Sequence, residues 1–191
     1  LLYTGGMQRI KGAYEVVKTF TECLTDQHLR LLVLGFTSEL SGSGRTKKIK
    51  MLMYKLGIPT YEYKVKMQAR KDSRIACIPG VYEIKDIVTQ ADCMVSYFTI
   101  PHANLAMAES IIVGTPVIAA RTEEADEYSL GGKLAYLYPM NDVKAFELAL
   151  MDFVHRPKET LKEKDRERIA EMFLPQRNIL NLNNTLKELV S

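Results

Sequence analysis

Short apolar runs alternate with stretches of helical periodicity along most of the chain, and that alternation leaves few folds open. Leu29–Gly35 (LRLLVLG) reads as a strand apolar on both faces, as parallel sheets require, and the short runs Ile75–Ile78, Cys93–Phe98 and Pro116–Ala120 read as further strands. Leu1–Thr4 and Lys133–Tyr138 read as two more strands. Between them, Val16, Val17, Phe20 and Leu24 recur at helical spacing, and Leu105–Val113 and Val143–His155 repeat the pattern. A basic amphipathic helix is expected over Arg45–Leu56, after a loop containing Ser41-Gly42-Ser43-Gly44 and before Gly57 and Pro59. Another is expected over Tyr82–Ala91, after the Pro79-Gly80 turn. Tyr61–Arg74 is the least regular segment, with Lys64, Lys66, Arg70, Lys71 and Arg74 expected at the surface. About six βα units of this kind predict an α/β fold, a doubly wound and mostly parallel sheet with helices on both faces.

Residues 1–155 are expected to form one Rossmann-like domain. Residues 156–191 are strongly charged and are expected to add helices that pack on that domain or cross back over it. There Glu159–Lys162 and Glu163–Arg166 are spaced for i,i+3 support. The 191 residues suffice for a core that needs no metal or disulfide. No apolar run approaches the roughly 18 residues of a membrane span. Leu1-Leu2-Tyr3-Thr4 opens as though already inside a strand, with no Met and no polar lead-in, so the expectation is a piece of a longer protein.

Lys and Arg number 26 against 23 Asp and Glu, a net charge of +3, too mild for a nucleic-acid binder though compatible with a phosphate-bearing small ligand. Cys23, Cys77 and Cys93 are odd in number, far apart and in apolar settings. They read as reduced thiols, which predicts a cytoplasmic protein without a disulfide frame or a CxxC metal site.

Ligands of a doubly wound sheet bind beyond the carboxyl ends of its strands, where loops meet helix N-termini. The first such loop is Gly5–Gly12. Gly5 and Gly6 let backbone approach a ligand, the next helix offers free amides and a positive dipole end, and Arg9 and Lys11 add cations. It lacks both GxGxxG and GxxxxGK[ST], which excludes dinucleotide and P-loop readings by spacing. The alternative is a plain tight turn with Lys11 solvated. A second candidate is the strand-to-helix passage at Pro101-His102-Ala103-Asn104-Leu105, where unpaired amides are again expected. Glu109 follows among apolar helical residues, where a carboxylate needs a partner. A ribose diol is one, and a nearby Lys or backbone amide is another. Glu123, Glu124, Asp126 and Glu127 read as a solvated acidic loop, with Glu127 the best placed. His28 and His155 read as surface residues. The basic residues of 45–55 and 61–74 read as solvated faces, with anionic lipid or nucleic acid as the alternative partner.

Asn104–Ala120 (NLAMAESIIVGTPVIAA) resembles the signature of the retaining nucleotide-sugar glycosyltransferases of GT-B fold, the family that includes glycogen and sucrose synthases. Upstream, LLYTGGMQRIKGAYEVVKTF resembles the opening strand, glycine loop and Lys-Gly helix start of that family's C-terminal domain. LRLLVLG resembles its next strand, and IPGVYEIKDIVTQADCMVSY its Gly-Val turn, short helix and following strand. The likeness runs through about residues 1 to 155.

The resemblance implies one half of a GT-B fold, binding the nucleotide-sugar donor, with the acceptor side on an N-terminal domain not contained in this chain. It implies that Lys11 contacts the donor diphosphate, Glu109 the ribose, and amides around Asn104 and Leu105 a phosphate. It sets the turn of Gly80, Val81 and Tyr82 against the base. It also implies no metal and no cofactor beyond the co-substrate. Two positions depart from the family's pattern. Gly6 stands where the family commonly has an Arg, a role Arg9 is expected to take. Pro101 stands where it commonly has a sugar-contacting Glu, and the next residue, His102, becomes the candidate for sugar or phosphate contact and for any catalytic part. Membrane-surface contact would suit a lipid-linked acceptor. The expected function is donor binding for hexosyl transfer to a glycan or lipid-linked acceptor, with this piece inactive alone. The alternative is a non-catalytic scaffold or partner-binding domain on the same fold.

Overall fold

A computed structural model of the chain describes residues 1–36, 60–81, 83–155 and 161–176, together with residues 45, 48, 49, 52, 53, 56 and 179. The expected loop at Ser41–Gly44, most of the helix over Arg45–Leu56, Tyr82, the Glu159–Lys162 pair and most of the tail beyond residue 176 lie outside the described residues.

Six strands form one sheet, β1 (Leu2–Tyr3), β2 (Leu31–Phe36), β3 (Ile75–Pro79), β4 (Met94–Val95), β5 (Val117–Ala120) and β6 (Ala135–Tyr138). Every pairing is parallel and the spatial order is β3-β2-β1-β4-β5-β6. The expected α/β, Rossmann-like, doubly wound architecture is thus the observed one. Adjacent strand residues face opposite ways. Val95, Ile118 and Ala120 enter one core with Val16, Val17 and Phe20 of α1 (Ala13–Cys23), Val65 of α2 (Tyr61–Ala69) and Phe146, Leu150 and Phe153 of α6 (Val143–His155). Met94, Val117 and Ala119 enter the other, with Met107, Ala108 and Ile111 of α4 (Leu105–Val113), Ala125 of α5 (Glu123–Tyr128) and Ile169 of α7 (Glu163–Met172). The short α3 (Lys85–Gln90) completes that second layer through Val88, against Leu2 and Leu34. Helix α7, from the charged tail, lies on α4, with the Arg166 guanidinium donating to the Ile112 carbonyl at 3.0 Å and Lys133 paired with Asp165 at 2.7 Å.

Two segments differ from their sequence expectation. Tyr61–Ala69 is a regular helix, capped by the Thr60 hydroxyl, which accepts from the Tyr63 amide at 3.2 Å. Its buried face carries Glu62 and Gln68 beside Val65 and Ala69, so no apolar period announced it. Arg74 is not exposed but buried at 7%. Its guanidinium forks onto Asp72 at 2.6 and 2.9 Å, donates to the Asp26 carbonyl at 2.8 Å and stacks 4.8 Å from the Phe20 ring. The acidic run 123–128 likewise forms α5, with the Thr122 hydroxyl accepting from the Ala125 amide and carboxylates in the first turn, where the helix dipole favours them.

Hydrogen bonds from Arg74 hold the Asp72 carboxyl below the ordinary carboxylate range. A carboxyl depressed in the folded state stabilises above its unfolded pKa, and that contribution fades as pH falls through the folded value. The stability advantage of the native chain over Asp72→Asn is therefore expected to be full at neutral pH and to shrink below about pH 4. Melting temperatures of the two proteins across pH 2.5–7 check this, and a gap independent of pH would contradict it. All three cysteines are unpaired. Burial raises each thiol, that of Cys23 to about 11, so they are protonated at neutral pH.

Candidate functional site

Strand order reverses between β1 and β4, because the chain leaves β1 toward β2 on one side and resumes at β4 on the other. The loops leaving those two strands diverge and open a crevice at the carboxyl edge. A cavity of about 190 Å³ occupies it, lined by Thr4, Gly5 and Lys11 from the β1 loop and by Ser96, Phe98 and residues 102–106 from the β4 side.

Tyr3 positions the first loop. Its buried hydroxyl lies 3.0 Å from the Gly6 carbonyl and 2.9 Å from the Lys11 carbonyl, so one O–H ties both ends of the loop to the strand below. Burial raises the phenol far above its ordinary range and keeps that proton in place. Gly6 has φ +74°, and a Cβ there would meet nothing within 4 Å, so its backbone borders open space. After the short 3-10 turn Arg9–Lys11, Gly12 reverses the chain into α1 at φ +67°.

Lys11 and His102 are 91 residues apart in sequence and meet across the crevice, Nζ to Nε2 at 3.1 Å. An ammonium has only donors, so Nε2 accepts in this contact. Phe98 lies beneath both, 5.2 Å from the Lys11 ammonium and 5.1 Å from the imidazole, ring centre to ring centre. Helix α4 starts beside them. Asn104 caps it, accepting from the Met107 amide at 3.2 Å while its own amide donates to the Ser96 hydroxyl at 3.0 Å. That cap satisfies one amide of the first turn, and residues 103–106, where the helix begins, line the cavity at the positive end of its dipole. An ammonium, a helix N-terminus and open backbone are the groups with which a protein can receive an anion.

Of the sequence candidates, Gly5, Lys11, His102, Asn104 and Leu105 line this one cavity, and Gly6 belongs to its loop. Glu109 sits four residues beyond Leu105 on the same helical face. It is exposed, in contrast to the expectation that it needs a partner to offset burial, and it borders a neighbouring groove of about 600 Å³ with Ile84, Val88, Ile112 and Val113. Gly80 and Val81 are exposed on the β3 side, where a Cβ on Gly80 would come within 3.7 Å of Gly35. Tyr82 lies outside the described residues. Arg9 is not among the cavity's residues and lines a separate groove between α1 and α2. Pro101 is exposed beside His102. His28 and His155 are exposed and remote from the cavity lining. Phe98 and Ser96, which support Lys11 and Asn104, were not singled out from sequence, although both end the apolar run Cys93–Phe98. Glu124, read from the sequence as part of a solvated acidic loop, stands in the first turn of α5. Its own backbone amide and the Thr122 hydroxyl hold its carboxyl low.

No protein-family model matches the chain, and no curated protein sequence does. Solved structures do match in fold. A sucrose-phosphate synthase from Thermosynechococcus elongatus aligns over 99% of this chain and 45% of its own length, at 21% identity and a TM-score of 0.65. Anabaena HepE in complex with UDP aligns over 98% of this chain and 48% of its own, at 14% identity and a TM-score of 0.68. A glycosyltransferase from Rickettsia africae aligns over the whole of this chain and 47% of its own, at 16% identity and a TM-score of 0.69. The chain spans about half the length of these proteins. Its fold is one found in glycosyltransferases.

Proposed function

We propose that this chain is the donor-binding half of a retaining GT-B glycosyltransferase, which transfers a sugar from a nucleoside-diphosphate sugar to a glycan or lipid-linked acceptor. The acceptor side belongs to a second domain N-terminal to it. The observation that carries this reading is the meeting of Lys11, His102 and the start of α4 at the sheet's reversal point. The likeness in fold to HepE, which was solved with UDP and with UDP-glucose, supports it.

In this reading the donor diphosphate lies across the α4 N-terminus with Lys11 beside it. The ribose reaches Glu109 one turn further along α4, and the base rests toward Gly80, Val81 and Tyr82. As the anomeric C–O bond breaks, negative charge grows on the diphosphate and positive charge on the sugar ring. Lys11 and the helix amides stabilise the leaving group where its charge develops, without a metal ion. The Nε2 of His102 orients the Lys11 ammonium and, when donor is bound, is within reach of phosphate or sugar oxygens. The soluble chain works on the cytoplasmic side, with peripheral contact to a membrane where the acceptor is lipid-linked. Calorimetry against UDP, GDP and ADP and their glucose or mannose conjugates tests the reading. Binding of at least one set is expected, with no sugar transfer by this chain alone. No heat with any of them at millimolar concentration would overturn it.

A second reading, a non-catalytic scaffold on the same fold, is favoured by Pro101 and Gly6 at two positions where the resembled family commonly has Glu and Arg, and by Arg9 lying away from Lys11's cavity. Transfer activity in a longer chain that includes the preceding domain would exclude it.

A further inference from the structure

A second open groove of the described residues lies apart from the crevice at Lys11. It lies between α1 and α2 and encloses about 710 Å³. Three cations line it, Arg9, Lys64 and Lys71, together with three tyrosines, Tyr14, Tyr61 and Tyr63. In the sequence these lysines read as a solvated face. Folding sets them beside tyrosines drawn from both helices.

The groove is fixed in shape. The Tyr14 amide donates to the Tyr61 hydroxyl at 2.9 Å, and that hydroxyl donates onward to Glu15 at 3.3 Å, which joins the two helices at the groove floor. Burial raises the Tyr61 phenol well above its ordinary range, so it keeps the proton that this bond uses. Glu15 is thereby engaged from within the protein. Lys64, exposed on α2, and Lys71, which lies in the turn that follows α2 and donates to the Gln68 side chain at 2.9 Å, both line the groove. Arg9 stands at the opposite wall, on the same short turn as Lys11.

Aromatic faces with a few cations beside them match a chain of pyranose rings bearing carboxylates. Ring C–H faces pack on tyrosine, whose quadrupole presents negative charge there, and the acid groups meet Lys and Arg. We infer that the α1–α2 groove is a binding site for an acidic oligosaccharide, separate from the crevice at Lys11. A lipid surface fits less well, since the feature is concave. Single-stranded nucleic acid, another chain of anions with stacking faces, is the competing ligand that the test separates. The inference does not depend on the donor reading, because it concerns different residues and a different ligand.

The test uses the intact chain, labelled with 15N, titrated with a hexamer of galacturonic acid. Shifts are expected at Arg9, Tyr14, Tyr63, Lys64 and Lys71, and affinity is expected to fall at least tenfold in Lys64→Ala/Lys71→Ala and in Tyr63→Ala. Retained melting temperature in those variants separates lost contact from lost fold, and unchanged nucleotide affinity separates this site from the donor crevice. Should Tyr63→Ala fail to fold, the lysine pair alone decides. Equal binding of a neutral glucose hexamer, no shifts at millimolar hexamer, or tighter binding of a single-stranded oligonucleotide or of phosphatidylglycerol vesicles through the same residues would each overturn the inference.

Discussion

Replacing Lys11 by Ala is expected to weaken nucleoside-diphosphate binding by about 10- to 100-fold while leaving the fold intact, the loss that follows from removing one charge-assisted hydrogen bond of about 1.5–3 kcal/mol. The side chain is free to leave without structural cost. Among the described residues its Nζ meets His102 and the face of Phe98, whereas its backbone carbonyl, bound by Tyr3, is common to every residue type. The effect should therefore appear in affinity and not in melting temperature. Lys11→Arg keeps the charge but lengthens and broadens the group against Phe98, and should recover only part of the affinity. Calorimetry with the best-bound nucleotide checks both variants. An affinity for Lys11→Ala equal to that of the native chain would remove Lys11 from the site.

Gly12→Ala is expected to do the opposite, costing stability first. Its φ of +67° is a conformation that L residues adopt at a cost of about 1–2 kcal/mol, and a Cβ there would lie 2.1 Å from the Tyr97 carbonyl oxygen, a backbone atom. Relief requires Gly12 to move, and with it the start of α1 and the turn that carries Lys11. Roughly 3 kcal/mol or more is the expected sum, which is a large part of the net stability of an ordinary domain. Thermal denaturation should show a drop in melting temperature of several degrees, with weakened nucleotide binding in whatever remains folded. A melting temperature within a degree of the native value would show that the loop yields without resistance. The pair of variants separates two properties of one loop, the charge it carries and the conformation that places it.

The strands and the site were unequally legible in the sequence. Helix α4 was read to the residue, because Asn104 starts it as a cap and Gly114, at φ +93°, ends it. Strands β2 and β5 were legible because they are apolar and mostly buried, and β3 because its run Ile75–Ile78 is apolar, although it is only half-buried at the sheet's edge. Helix α2 was not, since Glu62 and Gln68 occupy its inner face beside Val65 and Ala69 and break the apolar period. The start of α3 was placed three residues early, at Tyr82 instead of Lys85, because no side chain caps it. In the site, the separate pieces around Lys11 and around Asn104 were each visible. Their junction was not, because the Lys11–His102 contact spans 91 residues and exists only once β1 and β4 lie side by side. The direction of Arg9 was hidden for the same reason, as it depends on α2 packing against α1.

The central claim is that the crevice between the β1 and β4 loops receives the diphosphate of a nucleotide-sugar donor. Titration of the 15N-labelled chain with UDP, GDP and ADP, followed residue by residue, tests it most directly. The expected result for at least one nucleotide is saturable shifts of the amides of Gly5, Gly6 and Lys11 and of residues 103–106 at the start of α4, extending to Glu109, with Tyr63, Lys64 and Lys71 unmoved. Shifts confined to the α1–α2 groove or to the β6 edge, with the amides at the start of α4 unmoved at saturating nucleotide, would contradict it.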